Sequence, residues 1–224
     1  MRKKVSVILK ILLCVSCLGG VSLSLIYAST DGFFHWTRRV MYFTAQSNIW
    51  LGLTTLIILL SPLFNTKEKW TKRFYLLRYV FTVSISMTGL VFCLLLAPFA
   101  DSSYHVWSVN NIMTHVTSPL LAVSDYFIDE RRTRLSKKQV FLSVVPPILY
   151  FSFVSVLYFL QFDFGRGETY PYFFINYRSP AGVFGFSSEM PFIIGSFYWF
   201  ALFSLVVIGL GFFYGRFKVE ENKK

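Results

Sequence analysis

Residues 110–119, with the sequence NNIMTHVTSP, open a hydrophobic run that ends near Ile128 and contains a histidine, His115. A helix that crosses a bilayer needs about 20 residues, and this run is close to that length. An ionisable side chain at membrane depth costs about 2.5 to 3.5 kcal/mol on insertion scales, so it marks a functional site by default. His115 is therefore the first candidate functional residue of the chain.

The other apolar residues are also concentrated in runs of membrane-spanning length. Of the 224 residues, 54% are hydrophobic and only 15% are charged, which is unlike a soluble domain. The six runs lie at about 5–28, 43–64, 74–99, 110–128, 140–162 and 191–214. They lack the alternating segments of about 10 residues that form barrels, so each predicts a helix that satisfies its own backbone hydrogen bonds. The sequence predicts an all-α fold, a single domain over 1–224 consisting of a bundle of six transmembrane helices.

The formal net charge of +11 raises the question of a nucleic-acid partner. The placement of the Lys and Arg residues indicates membrane topology instead. Sixteen of them lie before, after or between the runs on one side of the membrane, and four lie on the other side. The positive-inside rule then predicts a multi-pass protein of the cell membrane with both termini in the cytoplasm. The expected partners are membrane lipids, with no nucleic acid.

The first run follows Arg2, Lys3 and Lys4 and invites comparison with a cleaved signal peptide. The apolar core of a signal peptide has about 7 to 15 residues. The run at 5–28 is longer than this, so we expect it to be retained as a span.

The second and fourth runs each carry polar side chains. The second run begins with Thr44, Gln46, Ser47 and Asn48, and one face of the fourth run carries Asn111, Thr114, His115, Ser118 and Asp125. Such side chains usually bond to neighbouring helices as packing contacts, and this interpretation stays open for Ser47. Both runs cross from outside to inside, so their first residues lie at the same surface. We expect Thr44 and His115 to meet there.

A threonine beside a histidine has a specific chemical use. A hydroxyl is a poor nucleophile until an adjacent base takes its proton, and imidazole is such a base near neutral pH. With Thr44 as nucleophile and His115 as base, the pair fits acyl transfer or ester hydrolysis. The amides of Gln46, Asn48 or Asn111 are candidate donors to a developing oxyanion. The alternative interpretation is a buried histidine paired with a polar neighbour for structure alone.

Three short motifs carry a resemblance to a known family: Phe43-Thr44, NIMTH at 111–115 followed by Pro119, and YPYF at 170–173. With them the chain resembles a bacterial-type member of the androgen-inducible and androgen-dependent TFPI-regulating membrane proteins. The animal members are six-span hydrolases of fatty acid esters of hydroxy fatty acids, with a threonine nucleophile and a histidine. The resemblance implies these roles for Thr44 and His115. The alternative function is a non-catalytic lipid-binding or transport protein whose polar faces line a path.

Two structural features are also expected inside the bundle. Arg78 near the start of the third run and Asp125 near the end of the fourth lie at similar depth, so we expect a structural ion pair. Pro146 and Pro147 should kink the fifth run, because proline interrupts helical hydrogen bonding.

The remaining polar residues indicate no bound cofactor. The histidines are His35, His105 and His115, and no H-E-x-x-H spacing is present, so no metal site is predicted. The aromatic loop 163–189 is expected to be either a lid over the site or an aromatic belt at headgroup level. Arg166 or Arg178 in this loop is a candidate to bind a substrate carboxylate or to pair with a nearby acidic residue.

Overall fold

The computed structural model of the protein describes residues 1–29, 35–64, 68–100, 105–130, 135–165 and 167–216. These residues form helices joined by loops and turns, with one isolated β-bridge between Phe186 and Ile194 and no strand among them. The predicted all-α class is confirmed.

The described α-helices are, in chain order, α1 (Arg2–Ser29), α2 (His35–Val40), α3 (Phe43–Leu60), α4 (Glu68–Val91), α5 (Val109–Ile112), α6 (Ser118–Ile128), α7 (Lys137–Phe141), α8 (Val145–Phe159) and α9 (Ser196–Arg216). Two π-helical turns extend them. Phe92–Leu96 continues α4, and Met113–Thr117 joins α5 to α6. Residues 109–128 are therefore one helical segment, called the His115 segment below.

Within the described residues, five helices are long and apolar enough to cross a membrane: Arg2–Ala28, Phe43–Leu63, Glu68–Leu96, Lys137–Phe159 and Ser196–Arg216. They correspond to the first, second, third, fifth and sixth predicted runs. The His115 segment is helical but is not among them. Its polar side chains, including Asn111, His115 and Asp125, lower its hydropathy.

The helices pack in two groups that share α4. In the first group, α1, α3, α4 and α6 meet around Leu13, Cys17, Leu51, Ile85 and Ala122. In the second group, α9 packs against α4 through Val207 and Tyr214. The loop before α9 folds onto α8, where Phe174 and Ile175 join Tyr150, Val154 and Trp199 in one core. This packing brings the start of α3, the His115 segment and the loop before α9 to the same end of the bundle.

The exterior of the bundle is largely apolar, and its interior buries polar side chains beside the apolar cores. Leu63, Phe159 and Leu205 are exposed by 76%, 74% and 67%. The interior face of α4 instead buries the hydroxyls of Thr82, Ser84, Ser86 and Thr88. A soluble protein buries its apolar residues and exposes its charged ones. Exposed apolar side chains together with buried small polar ones are typical of helices that associate in an apolar medium.

The proline pair of the fifth predicted span lies where the helix changes type. A 3₁₀ turn at Leu142–Val144 separates α7 from α8, and Pro146 and Pro147 follow in the first turn of α8. Proline has no N–H to donate and is tolerated in a first helical turn. The break in this span therefore lies at residues 142–147.

α1 approaches the His115 segment closely at Gly20. A Cβ at this position would lie 2.8 Å from Thr114 Cγ2 and 2.9 Å from Met113 Cβ. Because Met113 Cβ is fixed to its backbone, we expect Gly20→Ala to lower the free energy of unfolding by about 1 to 3 kcal/mol. Unfolding in mixed detergent micelles measures this. Gly209→Ala is the matched control, since a Cβ there meets nothing within 4 Å; equal losses for the two variants would contradict the prediction.

Candidate functional site

His115 lies in the π-helical turn Met113–Thr117. Pro119 has no N–H, so it cannot donate to the His115 carbonyl four residues earlier, and the helix widens locally. Gly89 of α4 makes room for that carbonyl, because a Cβ there would lie 3.0 Å from the His115 oxygen. π-helical turns occur frequently at functional sites. The local sequence therefore places His115 at an irregularity against α4.

Thr44 and His115 are in hydrogen-bond contact, with 3.1 Å between Thr44 Oγ1 and His115 Nε2. His115 Nδ1 lies 3.1 Å from the Asn111 carbonyl oxygen. A carbonyl only accepts, so we assign the ring proton to Nδ1. Nε2 is then the acceptor, and the Thr44 hydroxyl donates to it. A histidine that activates a hydroxyl nucleophile has this arrangement, with its second nitrogen held by another acceptor.

Two side chains fix the geometry of the pair. The Phe92 ring stacks on the imidazole of His115 at 3.9 Å between centroids and 23° between planes. Asn48 Nδ2 donates to the Thr44 carbonyl at 2.8 Å and to the Thr114 carbonyl at 3.1 Å. Asn48 thereby ties α3 to the His115 segment beside Thr44 Oγ1 and His115 Nε2.

The amides predicted as oxyanion donors bond elsewhere. Both hydrogen bonds from Asn48 Nδ2 go to backbone carbonyls, and Gln46 Nε2 donates to the Val40 carbonyl at 3.2 Å. Asn111 Nδ2 donates to the His105 and Val106 carbonyls at 3.1 Å each. Ser47 Oγ lies 3.1 Å from Thr88 Oγ1 and links α3 to α4. These four residues support the backbone around the pair.

Tyr172, in the loop before α9, is a site residue that the sequence did not assign. Burial raises the pKa of its phenol to about 12, and Tyr172 lines a cavity together with Thr44. The phenol is therefore protonated at neutral pH and keeps an O–H to donate next to Thr44. Its ring meets Tyr42 edge-on at 5.6 Å and stacks on Phe174 at 5.0 Å. Its position in the YPYF motif at 170–173 is the sequence feature that could have identified it.

A cavity of about 290 Å³ opens beside the pair and is lined by Thr44, His115, Asn111, Tyr172 and Arg39, among others. Among the described residues no carboxylate pairs with Arg39, which brings a positive charge to the cavity. Its neighbour Arg38 is paired with Asp163 at 2.6 Å. Of the two loop arginines considered for a substrate carboxylate, Arg178 does not line this cavity, and Arg166 lies outside the described residues.

A second cluster of polar residues lies near the opposite end of the His115 segment. Arg78 contacts Asp125, as predicted from the sequence, and also Asp129 at 2.6 Å. Lys10 of α1 lies 3.1 Å from Asp125 and 2.7 Å from Asp129. None of the four is more than 3% exposed. Two positive and two negative charges thus neutralise one another in the interior.

The sequence-based prediction of an ion pair did not include Lys10 and Asp129, although the sequence contains an indication of each. Lys10 interrupts the first apolar run. Asp129 follows Asp125 by four residues, which places both carboxylates on one helical face. The predicted ion pair is therefore part of a larger charge cluster, defined as Lys10, Arg78, Asp125 and Asp129.

No protein-family model matches the chain, and neither does any curated protein or solved structure. The function is therefore inferred from the site geometry and from the resemblance in the three short motifs.

Proposed function

We propose that this protein is an integral membrane hydrolase of acyl-ester lipids, with Thr44 as nucleophile and His115 as general base. The proposal includes membership of the androgen-inducible and androgen-dependent TFPI-regulating family that its motifs resemble. One observation carries it: Thr44 Oγ1 lies 3.1 Å from His115 Nε2 while Nδ1 faces a carbonyl oxygen. A purely structural contact does not require the ring nitrogen that faces the hydroxyl to be the basic one.

The proposed reaction has two steps, acylation of Thr44 and hydrolysis of the acyl-threonine. Thr44 Oγ1 attacks the ester carbonyl carbon and its proton passes to His115 Nε2; the bond to the leaving oxygen then breaks and that oxygen takes the proton from Nε2. Water next attacks the acyl-threonine and gives a proton to Nε2. The bond from the carbonyl carbon to Thr44 Oγ1 breaks, Thr44 recovers its proton, and a carboxylic acid is released. The Asn111 carbonyl stabilises the transient imidazolium through Nδ1–H.

The carbonyl oxygen of the ester becomes negatively charged during the attack, and a hydrogen-bond donor is needed to stabilise that charge. Tyr172 supplies it in this proposal, because its phenol is protonated at neutral pH and Tyr172 lines the same cavity as Thr44 and His115. The amides of Gln46, Asn48 and Asn111 hold the backbone in place instead. A preorganised donor of this kind is typically worth about two to three orders of magnitude in rate.

For the membrane arrangement, the proposal comprises six spans with both termini in the cytoplasm of a cell membrane. The five helices of spanning length and the apolar exterior support it. The His115 segment is the additional span, since α1, α3 and α4 surround its polar face. The excess of Lys and Arg at one end supports the orientation. Thr44 and His115 then lie near the outer leaflet, where a lipid ester reaches them.

Labelling with a fluorophosphonate probe tests the nucleophile. We expect the purified wild-type protein to be labelled on Thr44, Thr44→Ser to keep labelling because it keeps a hydroxyl, and Thr44→Val to lose it while keeping the side-chain shape. Peptide mass spectrometry locates the adduct. An adduct that persists in Thr44→Val, or a folded wild-type protein that is not labelled, contradicts the proposal. The second outcome favours the non-catalytic lipid-binding or transport function.

A further inference from the structure

A second, smaller cavity of about 80 Å³ meets the larger one at Thr44. Three residues line both cavities: Thr44, Leu96 and Tyr172. His115 lines only the larger cavity. Thr44 therefore lies between the two cavities, and His115 is at the larger one.

The position of the base determines which part of an ester occupies which space. His115 Nε2 must return its proton to the leaving oxygen, so the alcohol part of the ester has to lie on the His115 side, in the larger cavity. The acyl part then extends from Thr44 in the opposite direction. Building on the hydrolase function proposed above, we infer that the smaller cavity is the acyl-chain site and that its size selects chains of short to medium length.

The lining of the smaller cavity fits an alkyl chain. Apolar side chains from α4, α8, α9 and the loop before α9 supply most of it, including Met87, Val91, Phe151, Phe174, Phe203 and Val207. Ser204 and Val207 line it about two to three helical turns beyond the start of α9. They therefore lie at depth in the bundle, away from the end that carries Thr44.

The volume sets the expected chain length. A cavity needs a volume of about 10 to 15 Å³ to hold one water molecule. A cavity of 80 Å³ therefore accommodates about five to eight groups of the size of a water molecule. A methylene group occupies about the volume of a water molecule. We therefore expect octanoyl esters to fit and hexadecanoyl esters to exceed the site.

Hydrolysis of a series of 4-nitrophenyl esters tests this, with butanoate, octanoate, dodecanoate and hexadecanoate as the acyl groups. We expect kcat/KM of the wild-type protein to be highest for octanoate and at least about tenfold lower for hexadecanoate. Ser204→Leu replaces the hydroxyl oxygen in the cavity wall by three carbon atoms and should move the optimum to butanoate. Leu205→Phe is the matched control on α9. Its side chain is 67% exposed, so added volume there leaves the chain-length profile unchanged.

A binding measurement separates this inference from the hydrolase proposal. Octanoate should raise the unfolding temperature of Thr44→Val, which cannot turn over, and Ser204→Leu should abolish that rise. Hydrolysis that increases up to hexadecanoate, or a profile that Ser204→Leu does not change, overturns the acyl-chain site and leaves the hydrolase intact. No hydrolysis of any ester, with octanoate stabilisation still sensitive to Ser204→Leu, overturns the hydrolase alone. If no ester is hydrolysed and octanoate does not stabilise Thr44→Val, both the hydrolase function and the acyl-chain site are overturned.

Discussion

Asp125→Ala is expected to lower the free energy of unfolding by about 3 to 5 kcal/mol, because it leaves buried positive charge unpaired. Asp125 is fully buried and contacts both Arg78 and Lys10. It also accepts a hydrogen bond from Ser6 Oγ at 2.7 Å. With Asp125 removed, Asp129 alone faces two cations. Unfolding in mixed detergent micelles measures the loss.

The exposed ion pair between Glu68 and Lys72 is the matched control. Its two side chains are 81% and 64% exposed at a distance of 2.7 Å. Exposed pairs contribute about 0 to 1 kcal/mol, so Glu68→Ala should change stability little. Removing Arg78 and Asp125 together leaves the neutral pair of Lys10 and Asp129, and should cost less than the two single losses combined. Additive losses, or a small effect of Asp125→Ala alone, would contradict the charge-cluster account.

The charge cluster also bears on the site, because it fixes the register of the His115 segment against α1 and α4. Asp125 and His115 are ten residues apart, or about 15 Å along the helix. A slip of one residue would turn every side chain of the segment by about 100°. His115 would then face away from Thr44. The ion contacts of Asp125 and Asp129 oppose such a slip, so the charge cluster at one end of the bundle maintains the contact between Thr44 and His115 at the other.

Much of this arrangement follows from local sequence patterns. Apolar runs of spanning length predict helices, since the backbone N–H and C=O groups have to form hydrogen bonds with each other in lipid. Thr44 and His115 each lie near the start of a run, and the two runs cross in the same direction, which places them at one end. Arg78 and Asp125 were matched by depth in the same way. These inferences depend on distance along a helix, which the sequence gives directly.

The rest depends on contacts that no local pattern specifies. Tyr172 reaches Thr44 because the loop before α9 folds back onto α3 and α8, and a loop path is not encoded by periodicity. The amides of Asn48 and Asn111 were expected to face Thr44, but they donate to backbone carbonyls, that of Thr114 in the π-helical turn and that of His105 in the loop before α5. Lys10 joins Asp125 through the rotation of α1, which its nearly uniform apolar sequence does not indicate.

His115→Ala is expected to lower kcat/KM for a lipid ester by about two to four orders of magnitude, the usual contribution of a general base. KM should change far less, because the imidazole acts on a proton in the transition state and holds little of the substrate. Hydrolysis of the preferred ester by folded protein in detergent measures both constants. His105→Ala is the control, since His105 is exposed in the loop before α5 and only its backbone carbonyl contacts Asn111.

Added imidazole distinguishes a base from a packing residue. The cavity beside His115 measures about 290 Å³, and truncation to alanine enlarges it, so free imidazole can enter the vacated position next to Thr44. Part of the lost rate should return in proportion to imidazole concentration and should require the Thr44 hydroxyl. A residue that only fills space would show recovered stability without recovered rate. Recovery of activity in His115→Ala combined with Thr44→Val would exclude Thr44 as the nucleophile.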